Sequence, residues 1–337
     1  MNPRRRFAAM AAALVLATTT AACGGGGDGE VDTDATLRAA WTVGITTLDP
    51  HMQSSEIISD RFGLFQLYDR LFTVKADGSI GPMLATDWSY SADGLSFDIT
   101  LRDDATFHDG SPLDAEAVAA NLDRARTLDS PLVKGRMSVV QAVEVTGEHT
   151  LTLRLTRNTS VVPYVLAEAS GMIMNPTLFE SGDPSSEADG STPYVVEEWV
   201  PGERLELVKD RDDYWDPEAY QIARFEHRQI ADFNALVNAV QGGQVDFVQL
   251  QPNQVGALES LPSVEVARIP QGQGFDIALN YDLEPLTDLR VRQAINHALD
   301  KQAIVDVFYP GSVVKDQYYR EGTPGYDPDL EGTYAYD

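Results

Sequence analysis

The one cysteine of this 337-residue chain, Cys23, closes a leader-like stretch and limits how the rest can be held together. Arg4, Arg5 and Arg6 precede an apolar run over residues 7–17, and Thr20-Ala21-Ala22-Cys23 runs into four glycines. A basic start, an apolar core of this length and small residues before a cut make a secretory signal peptide. The run is too short and too broken by threonines for a permanent membrane helix. Residues 1–22 therefore read as a signal peptide and Cys23 as the lipid-modified cysteine of a lipoprotein. An ordinary cut that leaves Cys23 unmodified, and an uncleaved leader that contains it, are the alternatives. The Arg4-Arg5-Arg6-Phe7 start also loosely matches a twin-arginine export signal. With Cys23 committed to lipid, no disulfide can form within the chain, so packing alone must stabilise a body that matures outside the cytoplasm.

Residues 23–36, with the run GGGGDGEVDTD at 24–34, have no apolar periodicity and read as a flexible, self-repelling tether. Removing residues 1–22 takes away three arginines and no acid, leaving 52 acidic side chains against 22 basic ones. Such a surface repels nucleic acid and anionic lipid, so nucleic-acid partners are excluded. The remaining length of about 300 residues is enough for two domains.

Strand and helix signals are mixed. Residues 37–41 read as an opening strand. Apolar residues at Ile57, Ile58, Phe62, Phe65, Leu67, Leu71 and Phe72 predict a helix over 56–72, with Ser54 or Ser55 as its cap. Phe97, Ile99 and Leu101 alternate with polar residues, as do Leu151, Leu153 and Leu155, which predicts half-buried strands. Asp114 caps a predicted helix running to about Leu128, with Glu116 at its positive end. Asp232 caps another over 233–241, which Gly242-Gly243 ends. Strands are predicted at 245–250, 264–269 and 275–280. Asp288 caps a helix with Val291, Ala294, Ile295, Ala298 and Leu299 on one face. The strand–helix alternation over 223–280 points to parallel pairing, and the hairpin-like strands over 80–156 point to an α+β insertion.

The chemistry-bearing residues form no catalytic signature. Of the five histidines, none makes a spaced pair on a helix and none pairs with a cysteine, so no metal site is expected. A nucleophile elbow and a P-loop are both missing. His108-Asp109 reads as a strand end and turn, because neighbours on a strand face opposite ways. Trp41, Trp88, Trp199, Tyr214 and Trp215 either line a ligand cleft or cap the cores of separate lobes.

Several segments together resemble the family 5 extracellular solute-binding proteins, the peptide, oligopeptide and nickel receptors of ABC importers. Leu48-Asp49-Pro50-His51 is similar to the opening LDPH motif. Tyr68-Asp69-Arg70-Leu71, then Asp77-Gly78-Ser79 and the run from Pro82 to Trp88, resemble the next block. Asp93-Gly94, Leu101-Arg102 and Phe107-His108-Asp109-Gly110 follow in the family's order, with the helix start Ala115-Glu116-Ala117-Val118. Asp212-Asp213-Tyr214-Trp215, Gly243-Gln244-Val245-Asp246 and the helix from Asp288 to Ala294 complete seven motifs.

The resemblance implies an α/β, two-lobed periplasmic-binding-protein-like fold of class II with an extra α+β subdomain and an incomplete second lobe. The expected domains are the signal peptide 1–22, the tether 23–36, lobe I over 37–74 and 161–274, an inserted subdomain over 75–160, and the start of lobe II over 275–337. A hinge is expected just before Phe275. The chain stops where the second lobe of such receptors continues, so it reads as truncated at its C-terminus. The family's glycine-rich G-T-G-P-Y loop stands here as Gly190-Ser191-Thr192-Pro193-Tyr194. Thr192 disfavours a positive φ, so a different loop shape is expected there.

Peptide receptors of this family pair the ligand backbone with the segment after LDPH, a form of strand addition. By position the ligand-binding residues are Gln53, Ser54, Ser55 and Glu56, with the two serines also serving as helix caps. Gln53 stands where nickel receptors place an aromatic contact, which argues against a nickel chelate. The implied protein is a monomeric, lipid-anchored, extracytoplasmic receptor with no cofactor and no enzymatic activity. It would capture a small solute, best a peptide, and deliver it to the permease and ATPase of an ABC importer. A secreted hydrolase using two carboxylates, and a signalling or adhesion lipoprotein on the same fold, are the alternatives.

Overall fold

The computed structural model describes residues 32–53, 58–75, 77–267, 277–317, 319, 321 and 326–337. The leader with Cys23, the segment Ser54, Ser55 and Glu56, and the expected hinge before Phe275 lie outside the described residues. Along the chain, β1 (Thr36–Trp41) and a 3-10 turn at Pro50–Met52 lead to α1 (Ile58–Leu64), β2 (Phe72–Val74), β3 (Ile80–Pro82), β4 (Ala85–Tyr90) and β5 (Ser96–Leu101). Then come α2 (Ala115–Thr127), α3 (Pro131–Met137), β6 (Val140–Gly147) and β7 (Thr150–Leu155). The short helices α4 (Val162–Val165) and α5 (Pro176–Ser181) precede β8 (Tyr194–Val200), β9 (Arg204–Lys209) and β10 (Arg224–Gln229). The order ends with α6 (Phe233–Gln241), β11 (Phe247–Val248), α7 (Leu289–Ala298) and α8 (Lys301–Phe308).

A five-stranded mixed sheet has the order β11-β1-β10-β9-β8. β1 runs parallel to both β10 and β11, the pairing that the β10–α6–β11 crossover requires. Successive β1 residues point to opposite faces. Ala39 and Trp41 face a core with Leu64, Tyr68, Met172, Leu205 and Phe225, while Ala40 faces Leu236 and Ala239 of α6. The GQVD segment closes this crossover. Asp246 accepts from the backbone N and the Nε of Arg38 at 2.9 Å each and from its Nη2 at 2.8 Å, tying the start of β11 to β1.

An antiparallel sheet of order β4-β5-β7-β6 forms a second centre of packing. The alternation read from the sequence sets its register, with Phe97 opposite Leu153 and Ile99 opposite Leu151. Those side chains meet Val118, Leu122 and Ala125 of α2, whose cap Asp114 accepts from the Ala117 N–H. The caps Asp232 and Asp288 likewise hold α6 and α7 over the predicted spans. No helix among the described residues is long and apolar enough to cross a membrane.

Four elements differ from the sequence expectation. The helix predicted over 56–72 ends at Leu64, and residues 65–68 continue as turns. Its second half is drawn into extended pairing, where the Leu71 N–H donates to the Gly171 carbonyl and the Ile173 N–H to the Asp69 carbonyl. The strand expected over 245–250 is only Phe247–Val248. Of the strands expected at 264–269 and 275–280, the described parts 264–267 and 277–280 are irregular, with no partner strand among the described residues. A strand needs a neighbour for its backbone donors and acceptors, so alternation alone does not make one.

Candidate functional site

The LDPH segment is a clamp. Asp49 caps the 3-10 turn by accepting from the His51 N–H at 2.9 Å. Its two carboxylate oxygens also receive Nη1 and Nη2 of Arg124 on α2, at 3.0 and 2.5 Å. His51 is fully buried, and its Nε2 lies 3.2 Å from the Met172 carbonyl. That oxygen can only accept, so Nε2 carries the hydrogen and Nδ1 accepts from Arg124 Nη1 at 3.0 Å. Burial, reinforced by the Arg124 charge, pushes the imidazole pKa down to about 4. The ring is neutral with both nitrogens used, which leaves it nothing to offer a metal or a substrate proton.

This clamp delivers Gln53 to a fixed place. Gln53 is 3% exposed, and its carbonyl accepts from Ser130 Oγ at 3.5 Å. Gln53 borders a shallow recess of about 10 Å³ together with Arg61, Leu132, Val133, Arg136, Glu168, Ala169 and Ser170. The innermost part admits one water-sized group. Two buried atoms of these residues, Gln53 Nε2 and Ser170 Oγ, have no hydrogen-bond partner among the described residues. Buried polar groups left unpaired are costly. Gly171 makes the approach possible, since a Cβ there would lie 1.9 Å from the Leu166 carbonyl oxygen.

Arg61, Arg136 and Glu168 bring charge to the recess. Arg61 is ion-paired with Glu168. Burial raises the Glu168 pKa, while Arg61, Arg70 and Arg136 all pull it back down. The Arg70 guanidinium also lies over the Phe65 ring, 3.7 Å from its centroid. On α1, burial lifts the Asp60 carboxyl to about 6, and one of its oxygens has no partner among the described residues.

Behind the recess, Asp69 joins three of the sequence motifs. Its fully buried carboxylate accepts from Tyr214 Oη at 2.6 Å, Ser191 Oγ at 2.7 Å and Trp215 Nε1 at 3.2 Å. Burial raises its pKa, against which the three donors work. The loop at Gly190-Ser191-Thr192 fits closely here, as a Cβ on Gly190 would come 1.9 Å from the Leu67 carbonyl oxygen. Thr192 needs no left-handed backbone, since Tyr220 is the one non-glycine with positive φ among the described residues. Instead its hydroxyl donates to the Gln66 carbonyl at 2.7 Å.

The structure thus places Gln53 in a polar recess, while Ser54, Ser55 and Glu56 lie outside the described residues. Arg61, Arg136, Glu168 and Ser170 are the lining residues that sequence reasoning missed. They come from three segments and share no spacing, so no motif announces them. No group of three or more His, Cys, Asp or Glu among the described residues could hold a metal ion. His108-Asp109 is a turn, with Asp109 and Asp189 both accepting from Asn175 Nδ2 at 2.9 Å.

Known proteins resemble the chain in sequence and in fold. Residues 79–337 match the family model described as bacterial extracellular solute-binding proteins, family 5 Middle. The glutathione-binding protein GsiB of Salmonella paratyphi A is 29% identical over 270 residues, which cover 79% of this chain and 52% of GsiB. The chain spans about half the length of the curated relatives it matches. The periplasmic binding protein DppA of Helicobacter pylori, solved with the peptide STSA, superposes with a TM-score of 0.74 at 21% identity. The match covers 90% of this chain and 64% of DppA. The oligopeptide-binding protein AppA of Bacillus subtilis, solved with a nonapeptide, gives 0.73 at 21% identity, covering 90% and 62%. At that identity the likeness carries the fold alone, a mixed α/β fold of the two-lobed, class II periplasmic-binding type.

Proposed function

The chain belongs to the bacterial extracellular solute-binding proteins of family 5, and on that premise we propose that it is the ligand-capturing receptor of an ABC importer, with a peptide as its solute. The observation that carries this reading is Gln53. The Asp49–Arg124 clamp holds it buried beside a recess, its Nε2 without a partner among the described residues, immediately before Ser54, Ser55 and Glu56. In this reading those four residues bind the peptide main chain by strand addition, and the recess receives a group next to it.

The other parts of the proposal follow the chain. Residues 1–22 are the signal peptide, Cys23 carries the lipid, and 23–36 are the tether. Lobe I comprises 37–74 and 161–274, the inserted subdomain 75–160, and lobe II starts at 275. Closure of two lobes on the ligand would give a permease its signal that the receptor is loaded. The mature protein acts as a monomer outside the cytoplasm, anchored to the cell membrane at its outer face or in the periplasm. A reaction is not part of the proposal: both ring nitrogens of His51 are engaged and the Asp69 carboxylate accepts three hydrogen bonds.

The test is titration of the chain with a panel of di-, tri- and tetrapeptides by calorimetry, with mass spectrometry of the recovered peptide. Saturable binding with intact peptide, weakened by Gln53→Ala, is the expected result. Cleaved peptide would move the reading to a hydrolase, and no heat from any peptide would overturn it.

A further inference from the structure

We propose that Asn121 of α2 is a positioning residue for the ligand site, acting on Gln53 through the buried segment 172–174 and His51. This rests on the receptor reading above and names what sets the geometry of that site. The segment 171–174 has two backbone edges. On one, the Gly171 carbonyl accepts from the Leu71 N–H at 3.1 Å and the Ile173 N–H donates to the Asp69 carbonyl at 3.0 Å, so residues 69–71 act as its neighbouring strand. Alternate residues of an extended chain share an edge, which puts Met172 and Met174 on the other one. No strand lies there among the described residues, and two side chains take its place. His51 Nε2 donates to the Met172 carbonyl at 3.2 Å. Asn121 exchanges two bonds with Met174, accepting from its N–H at Oδ1 (3.0 Å) and donating from Nδ2 to its carbonyl (2.7 Å). That is the pair of bonds a facing residue makes across an antiparallel ladder. A third bond, from Nδ2 to the Ala117 carbonyl at 2.9 Å, fixes the amide to its own helix.

Asn121, Met172, Ile173 and Met174 are all fully buried, so the backbone groups of Met174 have no water to turn to. Without the Asn121 amide the segment must shift to pair them. The Met172 carbonyl shifts with it, and with that carbonyl goes His51, two residues before Gln53. The other hold on this turn comes from the same helix. Arg124, one turn on from Asn121, grips Asp49 and donates to His51 Nδ1. The turn before Gln53 is therefore fixed twice to α2, directly by Arg124 and through 172–174 by Asn121. Val118, Leu122 and Ala125 in turn pack α2 on the side chains of β5 and β7. The sheet β4-β5-β7-β6 is thus the rigid reference against which Gln53 is placed.

The experiment follows amide hydrogen exchange over 48–53 by mass spectrometry and titrates the full chain with di-, tri- and tetraalanine, at a temperature where circular dichroism shows each variant folded. Asn121→Leu keeps the size of the side chain and removes all three bonds. It should speed exchange over 48–53 and weaken the bound peptide, each by about tenfold, while exchange in β5 and β7 stays as in the parent. A purely structural role would lower the unfolding midpoint and leave the affinity of the folded protein unchanged. Asn121→Asp has the same shape. As a carboxylate it has no hydrogen for the Met174 carbonyl, whereas once protonated it donates there and still accepts from the Met174 N–H. Its exchange over 48–53, corrected for the intrinsic effect of pH, should return toward the parent between about pH 7 and 5, and this variant decides should Asn121→Leu not fold. Parent-like peptide affinity in a folded variant would overturn the proposal, whatever the exchange shows. Faster exchange over 48–53 in the variant, with no heat from any of the three peptides in the parent, would keep the link from Asn121 to Gln53 while overturning the peptide reading.

Discussion

Arg124 grips Asp49 with two parallel N–H···O bonds across 75 residues of sequence, and both side chains are largely shut off from water. The pair fixes the chain immediately before Gln53 to helix α2. Removing only the arginine leaves a carboxylate buried with its charge uncompensated, which costs about 3–5 kcal/mol. Arg124→Met should therefore lower the urea midpoint sharply and weaken peptide binding through the displaced Gln53. The double change Asp49→Asn with Arg124→Met should recover part of the stability. A single variant as stable as the parent would mean that the ion pair does not hold this segment.

Two buried histidines make the fold sensitive to acid. His51 and His227 are both pushed down to about 4, chiefly by burial. Among the described residues His227 has no partner on either ring nitrogen, and it stacks on Trp41 at 4.7 Å between ring centroids. A depressed histidine pKa means that the unfolded chain binds a proton which the folded chain refuses, so stability falls as pH drops from about 6.5 to 4. Asp60, raised to about 6, acts in the opposite sense below that pH, because its folded form holds the proton more tightly. The comparison that isolates one histidine is His227→Phe, which keeps a ring against Trp41. The gap between variant and parent should move by about 3 kcal/mol in the variant's favour between pH 7 and 4. Parallel curves of unfolding free energy against pH would refute the assignment.

Asp69 predicts a spectroscopic effect. Its two oxygens take hydrogen bonds from Tyr214, Ser191 and Trp215. Asp69→Asn keeps the shape but turns an NH₂ toward at least one of these donors. A buried donor without an acceptor costs about 1–3 kcal/mol. The variant should lose that much stability, and its near-ultraviolet circular dichroism should change as Tyr214 and Trp215 lose their anchor. An unchanged aromatic spectrum would argue that these rings are fixed by packing alone.

Much of the architecture can be read from residue order, and the reason is local. Period-two alternation at Phe97, Ile99 and Leu101, and again at Leu151, Leu153 and Leu155, is enough to set which faces meet. Asp114, Asp232 and Asp288 start their helices because a short acidic side chain satisfies the free N–H groups of a first turn. The end of α1 cannot be read that way. Apolar residues continue in helical spacing to Phe72, yet the partners that draw Asp69 out of the helix lie 122 to 146 residues away. The recess shares this property. Gln53 is found through its motif, whereas Arg61, Arg136, Glu168 and Ser170 meet only once the chain has folded.

The lone cysteine gives the remaining prediction. Lipid on Cys23 with removal of residues 1–22 would leave Cys23 as the first residue of the mature protein. One acyl chain holds a protein to a membrane only marginally, at about 0.8 kcal/mol per buried CH₂, whereas two chains anchor it stably. The gene expressed in a bacterium that processes lipoproteins should yield protein that partitions into detergent and whose intact mass shows lipid on residue 23. Cys23→Ser should move it to the aqueous phase while leaving peptide affinity unchanged, because the tether separates anchor from body. A wild-type protein found in the aqueous phase and cut elsewhere would replace lipid anchoring with ordinary secretion.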